Sequence, residues 1–560
     1  LPIIEHAEFG RNVPDEAMPD EDKMNLGKIY HMGKEEAAGL ILNRQAMASH
    51  TFITGSTGTG KSNAVYHLLD EITKNGQTTF LVVEPAKGEY KNVFGNCTDV
   101  QVFGTNPRET PLLRMNPFAF PENIHILEHI DRLVEIFNAC WPMYAAMPAV
   151  LKDAIERSYQ KVGWDLRNSE SEKGIFPTFF DLLDILPGVI EESHYSKDTQ
   201  SDYVGALCTR VKSLTNGIYG SVLCAEDALT DEALFDRNVI VDLSRVGSME
   251  TKSLLMGILV MKLQEYRMCS SGMNSRLRHV TVLEEAHNLL RKTSAEQSQE
   301  GANLQGKSVE MLANAIAEMR TYGEGFIIAD QAPGLLDMSV IRNTNTKIIL
   351  RLPDEEDRKL VGKSAALKEA QIDELSKLPL GVAAVYQNEW PEAVLCKIEA
   401  YPMPENAVYH KPSKMPHEIN AEFVFGQLAV GKELEPLSIS EMEQLKLWLK
   451  RHETVLKPED DRYLERVFAG GELDVAKTRK AVFDFFGGIG TVVDYCAAAK
   501  KSLTPRKEFL EQLQGQYGLK AAAADWVLNS VISMGMSLNP DAKAVDNLRT
   551  NFEQQGGRVL

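Results

Sequence analysis

A short segment near the start of the chain has the residue types and spacing that bind phosphate groups. The stretch "GSTGTGKS" fits the pattern G-x-x-x-x-G-K-[ST], with Gly55, Gly60, Lys61 and Ser62 at its fixed positions. The glycines allow consecutive backbone N–H groups to point at a phosphate, and a helix that follows adds its positive N-terminal end. A strand-like run precedes this loop and a helical pattern follows it, as this kind of site requires.

The loop predicts a nucleoside triphosphate as the ligand. Lys61 is expected to reach the β- and γ-phosphates, and the Ser62 hydroxyl is expected to bind Mg²⁺. The NKxD motif with which G proteins read guanine is not visible, which favours ATP. The residues predicted to contact the nucleotide are Gly55, Ser56, Thr57, Gly58, Thr59, Gly60, Lys61, Ser62 and Asn63.

A second segment supplies paired carboxylates. The stretch "HVTVLEEAHNLL" (279–290) is an apolar strand that ends in two glutamates. In ATP hydrolases the first carboxylate, here Glu284, would hold Mg²⁺ through water, and the second, Glu285, would polarise the attacking water. The alternative is a strand that ends in a solvated acidic turn.

A third segment places an amide where a strand ends. In "AEMRTYGEGFIIADQAPGLLD" (317–337), a helix is predicted before the strand "GFIIA", and Gln331 follows that strand. An amide beside the nucleotide can hydrogen-bond both the γ-phosphate and water, so Gln331 is a candidate sensor of hydrolysis. The alternative is an ordinary polar loop residue.

These segments need a scaffold, and the chain offers one in recurring apolar strand runs that alternate with helical stretches. Near-continuous Val, Ile and Leu strands of this kind predict a mostly parallel sheet buried on both faces, as in RecA-like α/β ATPases. The runs are 51–54, 79–83, 100–103, 238–243, 279–285, 325–330, 346–352 and 382–387.

The pattern of runs also predicts the domain organisation. The ATPase core comprises 49–104 and 237–400, separated by a predicted helical insertion at 105–236, where no strand is convincing. Residues 1–48 are expected to form an N-terminal segment with two strand-like pieces, and residues 401–560 a linker and a helical C-terminal domain.

Composition narrows the class of protein. The chain has 560 residues, 44% of them hydrophobic, and a net charge of −19, so any contact with nucleic acid must be local, for example loops that line a channel. No apolar run reaches the ~18–20 residues of a membrane helix, and scattered cysteines without a CxxC pair indicate reduced thiols, which together predict a cytoplasmic protein without a membrane anchor. The cysteines are Cys97, Cys140, Cys208, Cys224, Cys269, Cys396 and Cys496.

Five segments occur in the order seen in HerA-type ATPases, and over about residues 26–400 the chain resembles this HerA/FtsK branch of ring-forming P-loop motors. The segments are "TFITGSTGTGKSNAV", "FLVVEPAKGEY", "VLEEAHNLL", "EMRTYGEGFIIADQAPGLLD" and "NTNTKIILRLPDEED". The resemblance implies a homo-hexamer that binds ATP between subunits and threads duplex DNA through the ring. It assigns Lys61 and Ser62 to phosphate and metal, Glu284 and Glu285 to the acidic pair, and Gln331 to the sensor.

The resemblance also implies an arginine delivered from a neighbouring subunit. The frame E-x-R-x-x-G resembles the arginine-bearing helix of the family and favours Arg320, with Arg351 second and Arg342 as a further alternative. In the same way, the second strand of the site would contribute Glu84, Lys87 and Glu89.

Three departures from the family separate this chain from its typical members. The acidic pair is Glu-Glu instead of Asp-Glu, Arg320 is followed by Thr321 instead of a basic residue, and the N-terminal β-barrel is largely absent. Only residues 26–43 resemble the end of that barrel, so we expect a remnant of it in a truncated or trimmed form.

The leading functional hypothesis is a hexameric ATP-driven DNA translocase or helicase that works with an effector enzyme. The resemblance suggests a nuclease or a sirtuin-type NAD-hydrolysing enzyme, acting in trans in bacterial antiphage defence. The alternative is an ATPase scaffold that assembles and regulates its effector without moving DNA, which the negative charge favours. A coupling ATPase at a membrane is disfavoured because no membrane helix is found.

Two further segments carry weaker signals. "HILEH" (125–129) matches an inverted zincin pattern, but its neighbours have the spacing of a packed helix and no third ligand is identifiable, so we reject a metalloprotease. The arginine-containing stretches 265–280 and 291–307 could line a ring channel and touch phosphates, or could be solvated loops.

Overall fold

The structure, a computed structural model, separates into two compact units, residues 1–411 and 412–560. The residues that it describes are 6–11, 18–144, 146–171, 175–225, 228–293, 304–403, 407–411, 421–429, 445, 458–468, 473–517, 519 and 521–559.

An eleven-stranded sheet is the centre of the first unit, in the order β2-β1-β13-β12-β11-β3-β10-β9-β4-β8-β5. The strands of this sheet are β1 (Lys23–His31), β2 (Lys34–Asn43), β3 (Thr51–Thr54), β4 (Thr79–Glu84), β5 (Val100–Gly104), β8 (Asn238–Asp242), β9 (His279–Glu284), β10 (Glu324–Asp330), β11 (Thr346–Ile349), β12 (Val382–Gln387) and β13 (Val394–Ile398). The run from β11 to β5 is parallel throughout, and the strands from β2 to β12 join it by antiparallel pairs. The predicted mostly parallel sheet is therefore confirmed.

Helices cover the sheet, as the burial of its central strands requires. Every residue of β8, β9 and β10 is buried, which explains their near-continuous apolar sequences. The helices of the first unit are α1 (Lys61–Thr73), α2 (Tyr90–Phe94), α3 (Ile126–Cys140), α4 (Met147–Lys161), α5 (Phe179–Glu192), α6 (Lys197–Tyr203), α7 (Thr209–Thr215), α8 (Gly217–Leu223), α9 (Asp231–Phe235), α10 (Met249–Ser270), α11 (Leu304–Glu318), α12 (Met338–Arg342), α13 (Glu355–Ser364) and α14 (Glu369–Glu374).

The two strand-like pieces predicted near the N-terminus form a hairpin within the main sheet. β1 pairs with β2 on one side and with β13 on the other, where Gly27 lies opposite Ile398. A side chain at Gly27 would meet the carbonyl oxygen of Lys397 at 2.1 Å, so this close approach requires glycine. The segment that we interpreted as a barrel remnant is thus continuous with the sheet of the ATPase core.

The segment between β5 and β8 is largely helical and contains α3 to α9. One feature was not predicted: a ribbon of two very short strands, β6 (Trp164–Asp165) and β7 (Glu170–Ser171), lies between α4 and α5. The insertion packs on α10 of the core, where a side chain at Gly257 would meet Ile136 of α3 at 2.8 Å. This close contact between the two helices fixes the insertion against the sheet layer.

The second unit is helical in its described residues and has its own core, built around Phe425, Phe485 and Tyr517. Its helices are α15 (Ala421–Ala429), α16 (Pro458–Phe468), α17 (Val475–Phe485), α18 (Gly488–Ala499), α19 (Pro505–Tyr517), α20 (Ala521–Leu538) and α21 (Ala542–Gln554). Across the described parts of the chain, no single helix is long and apolar enough to cross a membrane. The bent pair α17 and α18, with 67° between them, meets that test together by length and composition only.

Candidate nucleotide-binding site

The predicted phosphate-binding loop joins the end of β3 to the start of α1. Gly58 and Gly60 have φ angles of +75° and +103°, in the left-handed region that favours glycine. The position where a side chain would stand at Gly58 has no atom within 4 Å, so the loop is open on that side. Lys61 begins α1, and the N–H groups of its first turn add the positive end of the helix. This geometry fits a chain of phosphates.

Neighbouring strands hold the loop in place. The backbone N–H and the hydroxyl of Ser56 donate to the carbonyl oxygen of Arg351, over 3.0 Å and 3.1 Å. The backbone N–H of Gly381 donates to the carbonyl of Thr59 over 3.0 Å, and the Thr59 hydroxyl donates to the carbonyl of Ser56 over 2.7 Å. Bonds to the segments just after β11 and just before β12 therefore preform the loop.

The acidic pair lies beside Lys61. Its ammonium nitrogen is 3.2 Å from Glu285 and 3.6 Å from Glu284, and all three side chains are largely buried. The hydroxyl of Tyr90 donates to Glu284, whose pKa is raised because burial disfavours its charged form. The positions of Glu284 beside Lys61 and of Ser62 in the first turn of α1 suit a hydrated Mg²⁺ next to bound phosphates.

Glu84, at the end of β4, adds a third carboxylate near the acidic pair. Its oxygens accept the backbone N–H groups of Glu89 and Tyr90, over 2.8 Å and 3.1 Å, and so cap the short helix α2. Burial raises the pKa of Glu84 to about 8 despite these two bonds. Lys87 and Glu89, predicted with Glu84, lie 3.8 Å apart and are half exposed. Glu84 thus positions Tyr90, and Tyr90 holds Glu284.

Gln331 connects the loop to the acidic pair. Its amide nitrogen donates to Glu285 over 3.2 Å, and its amide oxygen accepts the hydroxyl of Thr57 over 2.9 Å. The predicted sensor is thus in contact with both the phosphate-binding loop and the predicted base.

The order of the strands explains why these residues meet. β10 lies between β3 and β9, with Asp330 opposite Thr54 on one side and Ala329 opposite Glu284 on the other. The carboxyl ends of parallel strands share one edge of a sheet, where ligands of open α/β sheets bind. Residues that are 224 positions apart in the chain, Lys61 and Glu285, therefore become neighbours.

Two residues of the site were missed by sequence reasoning. Asp330 and His287 lie within hydrogen-bond distance of each other, at 2.9 Å, directly beside Glu285. Ligand atoms of Glu285, His287 and Asp330 all lie within 4.8 Å of one another, close enough to share one cation. The signal was present, because Asp330 ends the apolar strand that precedes Gln331 and His287 follows the acidic pair.

The candidate arginines lie in different places. Arg351 touches the loop through its backbone carbonyl, as described above. Arg320 is exposed in the turn before β10, whereas Gln331 follows the other end of that strand. The seven residues of β10 span about 23 Å at 3.3 Å per residue, and this length separates Arg320 from Gln331. Arg342 is exposed at the end of α12. Arg320 is therefore remote from the phosphate-binding loop of its own chain.

The side chain of Asn63, predicted to contact the nucleotide, is engaged elsewhere. Its amide nitrogen donates to the carbonyl of Glu399 over 3.0 Å, and its amide oxygen accepts the backbone N–H of Tyr401 over 2.9 Å. These two bonds attach the segment after β13 to the first turn of α1. The side chain of Asn63 thus faces this segment.

The arginines of the stretch 265–280 are paired within the chain. Arg267 is fully buried, with its guanidinium 2.9 Å from Glu324. Arg276 lies 2.9 Å from Asp22, and Arg278 lies 3.6 Å from another carboxylate. Arg267 therefore cannot line a channel, which is one of the two roles predicted for this stretch, because it has no access to solvent.

The second basic stretch, 291–307, remains a prediction. Arg291, Lys292 and Lys307 are exposed, and residues 294–303 lie outside the described residues. In "HILEH", His125 accepts the backbone N–H of Leu127 at the start of α3, whereas His129 is buried on a carboxylate 2.9 Å away. The two histidines thus have separate structural roles.

Comparison with known proteins agrees with this architecture. Residues 24–261 match the family described as Helicase HerA, central domain. The probable helicase MJECL08 of Methanocaldococcus jannaschii is 23% identical over 436 residues, which cover 71% of this chain and 76% of that protein. The DNA double-strand break repair helicase HerA of Sulfolobus acidocaldarius is 25% identical over 393 residues, covering 68% and 69%.

Among solved structures, VirB4 of Thermoanaerobacter pseudethanolicus has a similar fold, with a TM-score of 0.50 and 17% identity. The match covers 69% of this chain and 98% of that one. At this identity the likeness concerns the fold alone, and it supports the RecA-like assignment of the first unit. Sequence relatives and fold therefore agree that this P-loop ATPase is similar to HerA-type helicases, with residues 24–261 matching the HerA central domain.

Proposed function

We propose that the chain is a ring-forming motor that hydrolyses ATP to move along or unwind duplex DNA. The observation that carries this proposal is the meeting of Lys61, Glu285 and Gln331 at the carboxyl ends of three parallel strands. The relatives named above support the choice of DNA, because their names describe helicases and, for one of them, double-strand break repair.

In the proposed reaction each side chain has one role. Backbone N–H groups of residues 55–62 and the ammonium of Lys61 bind the phosphates and orient the terminal one. Mg²⁺ on Ser62, with Glu284 behind its water shell, would neutralise charge on the phosphates. Glu285 orients the attacking water and accepts its proton on a carboxylate oxygen, while the Gln331 amide holds that carboxylate toward the loop.

A homo-hexamer completes the proposed site. Phosphoryl transfer is accelerated when a guanidinium reaches the terminal phosphate, and a neighbouring subunit can supply it. The remote position of Arg320 from its own loop supports delivery to a neighbour rather than to the same subunit. Arg351 is the second candidate, because it lies next to the loop.

We also propose that the motor works with an effector enzyme, which is a separate protein. The family resemblance suggests a nuclease or a sirtuin-type NAD-hydrolysing enzyme as that partner, in bacterial antiphage defence. The second unit, residues 412–560, lies outside the segment that matches the HerA central domain and is a candidate surface for such a partner.

A second candidate function is an ATPase scaffold that assembles its effector without moving DNA. Two observations favour it: the net charge is −19, and the arginines of the stretch 265–280 are paired with carboxylates of the chain. Under this alternative, nucleotide turnover controls assembly of the complex.

One experiment separates the two candidates. The ATPase rate is measured with and without duplex DNA, and the mass of the assembly is determined in parallel. A hexamer stimulated several-fold by DNA supports the motor, whereas stimulation by an effector alone supports the scaffold. A monomer with full ATPase activity would contradict both, because each requires an assembly.

A further inference from the structure

One buried carboxylate near the site has no role in the proposed reaction. Asp330 is the last residue of β10, directly before Gln331, and it is fully buried. Its position between β3 and β9 places it at the centre of the edge where the phosphate-binding loop and the acidic pair meet.

The carboxylate of Asp330 bonds two different loops. One oxygen accepts both the backbone N–H and the Nδ1 atom of His287, each over 2.9 Å. The other oxygen accepts the backbone N–H of Ala332 over 2.9 Å. The first loop carries Glu285 and the second carries Gln331, so a single side chain fixes the spacing between them.

The loop that Asp330 holds through His287 has a strained backbone at Glu285, the proposed base. Glu285 has φ and ψ of 45° and 51°, the left-handed region that residues other than glycine rarely adopt. Such conformations persist where the surroundings enforce them, and they concentrate at functional sites. Asn288 supports the turn by donating its backbone and side-chain N–H groups to the carbonyl of Glu285, over 2.9 Å and 2.7 Å.

The bonds of Asp330 affect the direction in which the carboxylate of Glu285 points. Glu285 lies 3.2 Å from the amide of Gln331, and a shift of either loop would change the direction in which its carboxylate points. Catalytic groups lose efficiency steeply when they are displaced by as little as about 1 Å. The bonds from Asp330 oppose such a displacement on both sides at once.

We propose that Asp330, through His287, is a positioning residue that holds Glu285 and Gln331 in the arrangement needed for ATP hydrolysis. This inference rests on the proposed function, in which Glu285 is the base. In this proposal the effect of Asp330 on turnover passes through the two loops that it joins, and not through contact with the nucleotide.

The first test is the substitution Asp330→Asn in the full chain. The amide retains the shape of the side chain but replaces one acceptor oxygen with a donor that faces the N–H groups of His287. We expect kcat to fall roughly 10- to 100-fold, with the KM for ATP within about twofold of the original. Asp337→Asn is the matched control, because Asp337 caps α12 in the following loop, and it should retain kcat.

Variants of His287 keep the test independent of any folding defect in Asp330→Asn. His287→Ala removes one of the two bonds and leaves the backbone N–H, so its loss of kcat should be smaller than that of Asp330→Asn. His287→Asn places an amide N–H near the position of Nδ1 and should restore turnover. Equal losses in both His287 variants, with unchanged thermal unfolding, would overturn the positioning role.

A double variant tests whether Asp330 acts through Glu285. In a chain that already carries Glu285→Gln, Asp330→Asn should lower the residual rate by less than about twofold, because the group that it positions is gone. A full additional loss would mean that Asp330 acts independently of Glu285 and would overturn the inference. If Glu285→Gln alone keeps its activity, the assignment of Glu285 as the base in the proposed function fails instead, and the two failures are thereby distinguished.

Discussion

The ammonium nitrogen of Lys61 lies 3.2 Å from an oxygen of Glu285, so the lysine of the phosphate-binding loop and the proposed base form an ion pair. The exposed fractions of the two side chains are only 11% and 12%, so solvent screens this pair weakly. Phosphates that bind Lys61 must compete with this carboxylate. Glu285 is therefore expected to oppose nucleotide binding while it supports turnover.

Glu285→Gln should separate these two effects. Turnover should fall roughly 10²- to 10⁴-fold, because an amide cannot accept the proton of the attacking water. ATP should bind at least as tightly as before, because a negative charge beside Lys61 has been removed. Single-turnover hydrolysis and titration with a fluorescent ATP analogue measure the two quantities separately.

Glu284→Gln is the control for the order of roles. Because Glu284 is assigned to the metal, its substitution should weaken Mg²⁺-dependent binding and be the milder of the two for the rate at saturating Mg²⁺. An inactive Glu284→Gln chain beside an active Glu285→Gln chain would show that the two roles are reversed.

Lys61→Ala should abolish measurable ATP binding and turnover. Lys61 is the cation that Glu284 and Glu285 share among the described residues of the site, and its removal leaves two carboxylates facing the phosphates. Lys61→Arg keeps the charge and serves as the control for folding. Equilibrium binding of ATP and Mg²⁺ is the measurement, and undiminished hydrolysis in Lys61→Ala would contradict the site assignment.

The parts of the fold that could be predicted are those that depend on residues close together in the sequence. The glycines, Lys61 and the strand and helix around them are adjacent in the chain, so the geometry of the phosphate-binding loop follows from a few residues. The runs that became β8, β9 and β10 are apolar throughout because both faces of each strand are covered. A strand that is buried on both faces can therefore be recognised from its apolar residues alone.

Other features depend on pairing between distant segments, which no local pattern reveals. β1 pairs with β13 although Gly27 and Ile398 are 371 positions apart, and β10 inserts between β3 and β9. Arg267 looked like a solvated cation because nothing near it in the sequence indicates that Glu324 lies 2.9 Å away. Buried ion pairs of this type are hidden from sequence reasoning until the fold brings their members together.

Glu324→Gln should destabilise the first unit by about 3–5 kcal/mol at pH 7, because it leaves Arg267 buried with one carboxylate fewer. Burial alone would raise the pKa of Glu324, but His279 and Arg267 outweigh it and lower that pKa to about 2. The ordinary value is 4.5, so this contribution to stability is present above pH 4.5 and is lost as the pH falls toward 2. Denaturant unfolding at pH 7 and pH 3 should show the gap to wild type shrinking at the lower pH.

The comparison needs a matched surface change. Glu355 makes an exposed pair with Lys359 within α13, and Glu355→Gln should leave the unfolding midpoint unchanged at both pH values. A Glu324→Gln chain as stable as this control at pH 7 would show that the buried pair contributes little.

Arg320 is the arginine that we expect to complete the site from a neighbouring subunit. Arg320 stands at the opposite end of β10 from Gln331, so its guanidinium is too far from the loop of its own chain to act there. Arg351 meets its own loop through a backbone carbonyl, which Arg351→Ala retains, so that variant should keep more activity than Arg320→Ala. In related GTPases a guanidinium supplied in trans increases the rate roughly 10³- to 10⁵-fold.

Mixed rings test this assignment directly. A Lys61→Ala subunit cannot use ATP but still presents its own Arg320, whereas an Arg320→Ala subunit keeps an intact loop and lacks the arginine. Each variant alone should be inactive. When they are mixed, the interfaces that join an intact loop to an intact arginine should recover hydrolysis, in a proportion that follows the mixing ratio. Rings confirmed as mixed by native mass measurement, yet still inactive, would exclude Arg320 as the residue delivered in trans and leave Arg351 and Arg342 to be tested in the same way.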